Sequence, residues 1–286
     1  MTGSIWILYV FIYGLLKGSR EGMKKAALKK SSSTEILFFY TLIGLLFAIP
    51  FSKSAFLLPP IMIFYIFIKA AVVCTAWLFA YAALKNMSVS LYGIMDLSRM
   101  VFSTLFGVFW LGESLTVPKI TGMILVVLGL FLANLKKDNA TAKGVTFVVL
   151  LSALLNCFFN AISGTMDKVL MQYMDSAQLQ FWFMLFMTII YGAILIARKE
   201  KVYISTLKNN FWIPLMSLSL IIGDRMLFEA NANPESEVTV MTIIKQSSVL
   251  VTVLVGWLVF HEKHILYKLL CTAIVLSGII ISVIFI

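Results

Sequence analysis

The chain has little charge, cysteine or proline. Of its 286 residues 13% are charged and 61% are hydrophobic, and it contains three Cys, six Pro and two His. Soluble domains carry about twice that share of charged residues, so this composition argues against a soluble protein. Cys74, Cys157 and Cys271 each stand alone in an apolar segment. Their isolation favours small buried side chains over a disulfide framework or a metal site.

Signatures of nucleotide-driven and hydrolytic proteins are also missing from the sequence. It contains no Walker loop, no dinucleotide-binding glycine motif and no nucleophile elbow. The segment His261–His264 places its two histidines three residues apart, whereas a zincin helix needs them four apart. We therefore read this segment as a loop, and we expect no catalytic residues, no cofactor, no metal and no enzymatic activity.

Long apolar runs dominate what is present. They extend for about 18–22 residues, long enough for a helix to cross the roughly 30 Å apolar core of a bilayer. The runs are continuous rather than alternating, which disfavours a membrane β-barrel. The net charge of +10 comes mostly from Lys and Arg in short loops beside these runs, where such residues orient helices. The sequence predicts an all-α integral membrane protein with the lipid bilayer as partner and no nucleic acid.

Ten transmembrane spans are predicted, separated by proline-containing and polar turns. The most polar linker, 136–143, divides the chain into a first half at 1–137 and a second at 138–286. The spans are 4–27, 34–52, 60–84, 88–111, 117–135, 144–170, 177–197, 211–230, 237–260 and 264–285.

The two halves share an internal repeat. Segment 96–134 aligns with 245–283, so that Gly107 meets Gly256, Glu113 meets Glu262 and Gly129 meets Gly278 at one constant offset. Each copy is an apolar helix, a short turn with one Glu, and a second apolar helix. Because each half has five spans, an odd number, the second half must enter the membrane from the opposite side. Inverted repeats of this kind build alternating gates around one site in many secondary transporters.

Two short motifs carry a family resemblance. Leu111-Gly112-Glu113 ends an apolar helix before a glycine-containing one, and Leu78–Leu84 reads LFAYAAL. With the repeat, they make the chain resemble the EamA type of the drug/metabolite transporter (DMT) superfamily. The resemblance implies ten helices in two inverted five-helix EamA-like repeats, with spans one, three, four, six, eight and nine around a central pathway. It also implies cytoplasmic termini, whereas the distribution of Lys and Arg in the loops places both termini outside; orientation stays open.

Charged residues in the central parts of the spans fall on those same six spans. A buried charge costs about 2.5–3.5 kcal/mol on insertion scales and usually faces a cavity or a partner. Asp96 and Arg99, and Arg225 and Glu229, share helix faces. Asp96 and Lys245 occupy matched repeat positions and are expected to approach each other across the repeat axis. The alternative is that each pair is structural and fixes helix register.

These charges and neighbouring polar or aromatic side chains form the predicted binding cavity. Guanidinium and ammonium groups suit carboxylate or phosphate, and the acids could take a proton or hold an ammonium group. Mixed signs favour a zwitterion or an organic anion over a lipophilic cation. Glu229 and Asp96 are the candidates for proton coupling. The predicted site residues are Arg20, Glu21, Trp77, Tyr81, Asp96, Arg99, Asn156, Asn160, Asp224, Arg225, Glu229, Lys245 and Gln246.

The function predicted from these features is secondary transport of a small polar metabolite, such as an amino acid or organic anion, across a plasma membrane. Alternating access driven by a proton or solute gradient is the expected mechanism. Efflux of lipophilic cations, and a flippase or channel, are the alternatives; a protein without transport activity is less favoured. Substrate, direction, coupling ion and a homodimer are left open by the sequence.

Overall fold

The computed structural model describes residues 5–86, 98–135, 146–200, 205–248 and 265–284, together with 92, 95, 96, 203, 250, 251, 254 and 258. The predicted linker 136–143, the repeat positions Gly256 and Glu262, and the segment His261–His264 lie outside the described residues. The predicted boundary between the halves, 137/138, lies outside them as well.

The principal helices follow the predicted apolar spans closely. Where both ends of a predicted span are described, the ends coincide with the predicted ones or differ by at most four residues. A short helix, Ser205–Asn209, precedes the eighth helix. The helices are α1 (Ile5–Ala27), α2 (Ser33–Ala48), α3 (Pro60–Asn86), α4 (Ser98–Leu111), α5 (Val117–Leu135), α6 (Phe147–Leu170), α7 (Ser176–Ala197), α8 (Trp212–Ala232), α9 (Val238–Ile244) and α10 (Ile265–Ile284).

The prediction of one continuous helix over 237–260 was wrong at one place. Helix α9 gives way to a 3-10 turn at Lys245–Ser247. This turn packs on the glycine face of α1, where a Cβ on Gly14 would lie 3.2 Å from the Lys245 carbonyl oxygen and a Cβ on Gly18 would overlap the Ser248 carbonyl. A 3-10 segment is narrower than an α-helix, which suits this close approach.

Four helical segments are long and apolar enough to cross a membrane: Ser33–Phe51, Pro60–Asn86, Phe147–Leu170 and Ser176–Ala197. Shorter apolar helices occupy Ser98–Leu111, Val117–Gly129 and Leu269–Ser282. Helices α1 and α8 carry several charged residues within their lengths, which lowers their hydropathy. No strand occurs within the described ranges.

Helix packing is symmetric between the halves. The most extensive contacts pair α5 with α10, α1 with α8, α3 with α6 and α2 with α7, and α4 also contacts α9. When each helix is exchanged for the one five places away, α1–α8 becomes α6–α3 and the other three pairs map onto themselves. The helix pairs therefore follow one two-fold plan.

Glycines allow the closest of these contacts. A Cβ on Gly122 of α5 would lie 2.5 Å from the Gly278 carbonyl oxygen of α10, and one on Gly129 would lie 2.9 Å from the Cys271 carbonyl oxygen. Small residues let apolar helices approach closely where no hydrophobic force drives them together. Apolar side chains of both α5 and α10 also contact the core cluster around α1, α8 and α9, so this helix pair packs against the other helices.

Candidate functional site

A central cavity lies between the halves. Its empty space, counted together with the open solvent at its mouth, comes to about 910 Å³. Side chains of α1, α3, α4, α6, α8 and α9, with the turn after α9, form most of its wall. Tyr40 of α2, Phe183 of α7 and Tyr92, which precedes α4, complete it. Within the described ranges, α5 and α10 contribute no residue to the wall. The helices around the cavity are those on which the sequence concentrates charge.

The structure brings eight of the predicted site residues together in the wall of this cavity. They come from both halves of the chain, and their role in binding substrate stays a prediction. The eight are Arg20, Glu21, Trp77, Arg99, Asn156, Asn160, Asp224 and Lys245.

Asp96 lies directly behind the wall. Its carboxylate contacts Lys17 Nζ at 2.5 Å and Arg99 Nη2 at 2.8 Å. The expected approach of Asp96 to Lys245 does not produce an ion pair among the described residues. Lys17 of α1 pairs with Asp96 instead, and α1 also packs along the turn that carries Lys245.

Arg225 and Glu229 lie outside the cavity, against expectation. Arg225 Nε donates to Gln180 Oε1 at 3.0 Å, and Ser176 Oγ donates to the exposed Glu229 carboxylate. Successive residues turn by about 100° around an α-helix, so Arg225 and Glu229 point about 100° and about 140° away from Asp224 around α8. They meet the start of α7 through Ser176 rather than pairing with each other.

Tyr81 and Gln246 are buried behind the wall rather than in it. The Tyr81 side chain belongs to the apolar cluster between α2, α3, α7 and α8. Gln246 Nε2 donates weakly to the Thr242 carbonyl at 3.4 Å. Their burial is compatible with a packing role, because neither side chain reaches the cavity wall.

Two further ion pairs cross between the halves. Lys69 Nζ of α3 lies 3.2 Å from Asp167 Oδ1 of α6, and Arg20 Nη1 of α1 lies 3.6 Å from Asp224 Oδ1 of α8. The helix pairs α3–α6 and α1–α8 exchange under the two-fold plan, so the two ion pairs join corresponding pairs of helices. Both are almost fully buried.

Sequence reasoning left several lining residues out of the predicted site. Lys17, Lys69 and Asp167 are in the wall, although the sequence marked them only as charges within spans. The opposite signs on spans three and six were the available signal for Lys69 and Asp167. Tyr13, Tyr40 and Ser163 also line the cavity, and no charge or motif marks them in the sequence.

Lys245 differs from the other cations of the wall. Its side chain is 9% exposed, and among the described residues no carboxylate lies within 4.0 Å of its Nζ and no hydrogen bond holds it. Its nearest recorded aromatic contact places Nζ 5.7 Å from the centre of the Tyr13 ring. The Lys245 ammonium group is therefore available to a ligand in the cavity.

Comparisons with known proteins give the family. The sequence model of the EamA-like transporter family matches residues 4–135 and 147–284. A solved crystal structure of a protein is similar over 99% of this chain and 96% of its own, with a TM-score of 0.67 at 13% identity, a likeness of fold alone. No curated protein matches the sequence. With family matches over nearly all of both halves, this multi-pass membrane protein belongs to the EamA-like transporter family of the DMT superfamily, whose members are typically not enzymes.

Proposed function

We propose that this protein is a secondary active transporter that carries a small polar metabolite across the plasma membrane by alternating access. One observation carries the proposal: polar and charged side chains of both halves converge on one buried cavity between symmetrically packed helices. Transporters built from inverted repeats bind substrate at this kind of interface and expose it to each side by rocking one half against the other. The symmetric packing supports two inverted five-helix repeats.

The polar wall favours a polar substrate over a lipophilic cation. Lys69, Arg99 and Lys245 would repel a cation, while Asn156 and Asn160 supply hydrogen-bonding groups. A site for lipophilic cations would need a mainly apolar wall with a surplus of carboxylates.

Alternating access is tested by labelling the cavity from each side of the membrane. Ser163→Cys in α6, with Cys74, Cys157 and Cys271 replaced by Ala, gives one cysteine in the wall. We expect a membrane-impermeant thiol reagent to label it from both sides of oriented vesicles, and a transported substrate to change the ratio of the two rates. Labelling from one side only, with no change in any tested gradient, would contradict the mechanism and favour a static binding protein.

Coupling to a proton gradient is part of the proposal. Asp96 is held by two cations behind the wall, and Glu229 is exposed outside the cavity. We expect Glu229→Gln to retain pH-gradient-dependent uptake in proteoliposomes and Asp96→Asn to lose it. If both variants keep that dependence, the coupling acid is another residue.

A further inference from the structure

The cavity carries more cationic than anionic side chains. Its cations are Lys17, Arg20, Lys24, Lys69, Arg99 and Lys245, and the carboxylates are Glu21, Asp167 and Asp224 in the wall with Asp96 directly behind it. Among these described residues, six cations face four carboxylates, which leaves a formal surplus of two positive charges. Unpaired charge in a membrane protein is costly and marks a functional site.

The ion pairs locate the surplus. Arg20 pairs with Asp224, Lys69 with Asp167 and Lys24 with Glu21. Lys17 and Arg99 share the single carboxylate of Asp96. The second surplus charge is Lys245, which has no carboxylate within 4.0 Å in the described part of the chain.

Arg99 keeps hydrogen-bonding capacity after binding Asp96. Its Nη2 contacts Asp96 Oδ1 at 2.8 Å, whereas its buried Nε has no hydrogen-bond partner among the described residues. A guanidinium group can bind a planar or tetrahedral oxyanion through two parallel N–H groups. Arg99 can therefore hold Asp96 and contact a ligand at the same time.

Lys245 stands at the repeat position matched to Asp96. Two cations lie within 2.8 Å of the Asp96 carboxylate. Within the described ranges, no carboxylate lies within 4.0 Å of Lys245 Nζ. Asn156, Asn160 and Ser163 add neutral polar groups to the same wall. These features fit a ligand that brings its own negative charge to Lys245.

We propose that the cavity binds a small oxyanion with two negative charges, either a dicarboxylate or a phosphomonoester, and that Lys245 and Arg99 are its direct ligands. This inference rests on the proposed transport function and narrows its substrate class. A dianion neutralises the surplus of two, whereas a zwitterion leaves it in place. In the described part of the chain Glu21 Oε2 is buried without a hydrogen-bond partner, and it is the group that an amine ligand would contact instead.

Ligand-dependent thermal stabilisation of the purified full-length protein tests the proposal. The probes are succinate, glycerol 3-phosphate, inorganic phosphate, alanine and tetraphenylphosphonium at matched ionic strength. A ligand that binds the native state raises its melting temperature once its concentration exceeds the dissociation constant. We expect stabilisation by succinate or by glycerol 3-phosphate, and the stronger of the two distinguishes carboxylate from phosphate recognition.

Variants then place the ligand in the cavity. Lys245→Gln and Arg99→Gln should each raise the dissociation constant of the dianion by about tenfold or more, the effect of losing one charged hydrogen bond. Lys85→Gln, which removes an exposed lysine at the end of α3, is the matched control and should bind as the wild type does. If Arg99→Gln fails to fold, Arg99→Lys takes its place, and this variant should keep part of the wild-type affinity for the dianion.

Three results would overturn the inference: no stabilisation by any dianion, stabilisation by alanine or tetraphenylphosphonium instead, or dianion affinity that is unchanged in Lys245→Gln. Counterflow in proteoliposomes separates this failure from failure of the proposed function. If the protein exchanges alanine but binds no dianion, the proposed transport function holds and the dianion proposal fails. If the protein binds a dianion but exchanges no substrate, the proposed dianion site holds and the proposed transport function fails.

Discussion

Lys69 Nζ and Asp167 Oδ1 lie 3.2 Å apart, with side chains only 2% and 6% exposed. The lysine comes from α3 in the first half and the aspartate from α6 in the second. The Lys69 ammonium group also lies 3.7 Å from the centre of the Phe183 ring. A cation so enclosed depends on its carboxylate, so this pair ties the halves together at the cavity wall.

Removing one member of this pair should destabilise the protein strongly. Asp167→Asn leaves the Lys69 charge buried without its carboxylate, and breaking a buried pair costs about 3–5 kcal/mol. We expect a large fall in melting temperature in detergent. The double variant Lys69→Met with Asp167→Leu should recover much of the loss, because replacing both charges removes the desolvation penalty. A double variant no more stable than Asp167→Asn would show that packing, not charge, sets the effect.

Replacing Lys245 should stabilise the ligand-free protein rather than destabilise it. Its charge is buried with no carboxylate within 4.0 Å among the described residues, so Lys245→Met removes an uncompensated charge and should raise the melting temperature of the ligand-free protein. Sites kept for function are often less stable than their substituted forms. Thermal unfolding of the wild type and Lys245→Met without ligand tests this. A marked fall in melting temperature would indicate a structural role instead.

Glu113 of the Leu-Gly-Glu motif joins the halves through backbone contacts. Its carboxylate accepts hydrogen bonds from the backbone N–H groups of Val238 and Thr239, at the start of α9. Glu113→Ala should cost about 1–2 kcal/mol, since those amides lose a charged cap. The measurement is thermal stability, with Glu113→Gln as the comparison variant. We expect Gln to recover part of the loss, because an amide oxygen still accepts one N–H.

The α5–α10 contact should tolerate no side chain at its glycines. Gly129→Ile would force atoms against the Cys271 carbonyl, where even a Cβ would lie at 2.9 Å. We expect a lower melting temperature or loss of folded protein during size-exclusion chromatography. Gly164→Ala is the control, because a Cβ there meets nothing within 4 Å. Because alanine has a higher helix propensity than glycine, an equal loss in Gly164→Ala would mean that close packing of α5 on α10 does not explain the effect.

Apolar run length and punctuation predicted the helices well. Pro60 and Pro118 lie at the first turns of α3 and α5, where a proline loses no helical hydrogen bond. The charges on six spans indicated which helices surround the cavity. Periodicity alone could not show the 3-10 turn at Lys245–Ser247, because that turn depends on the glycine face of α1.

The sequence by itself determined that this chain is a helical membrane protein with a repeated plan and charged inner helices, because run length and charge position are local properties. Tertiary structure decided the partners of those charges. It placed Lys17 beside Asp96 at 2.5 Å, turned Glu229 to the outside and left Lys245 without a carboxylate among the described residues. Ion pairing depends on distances of a few ångströms between helices far apart in sequence, and those distances follow from helix rotation and packing.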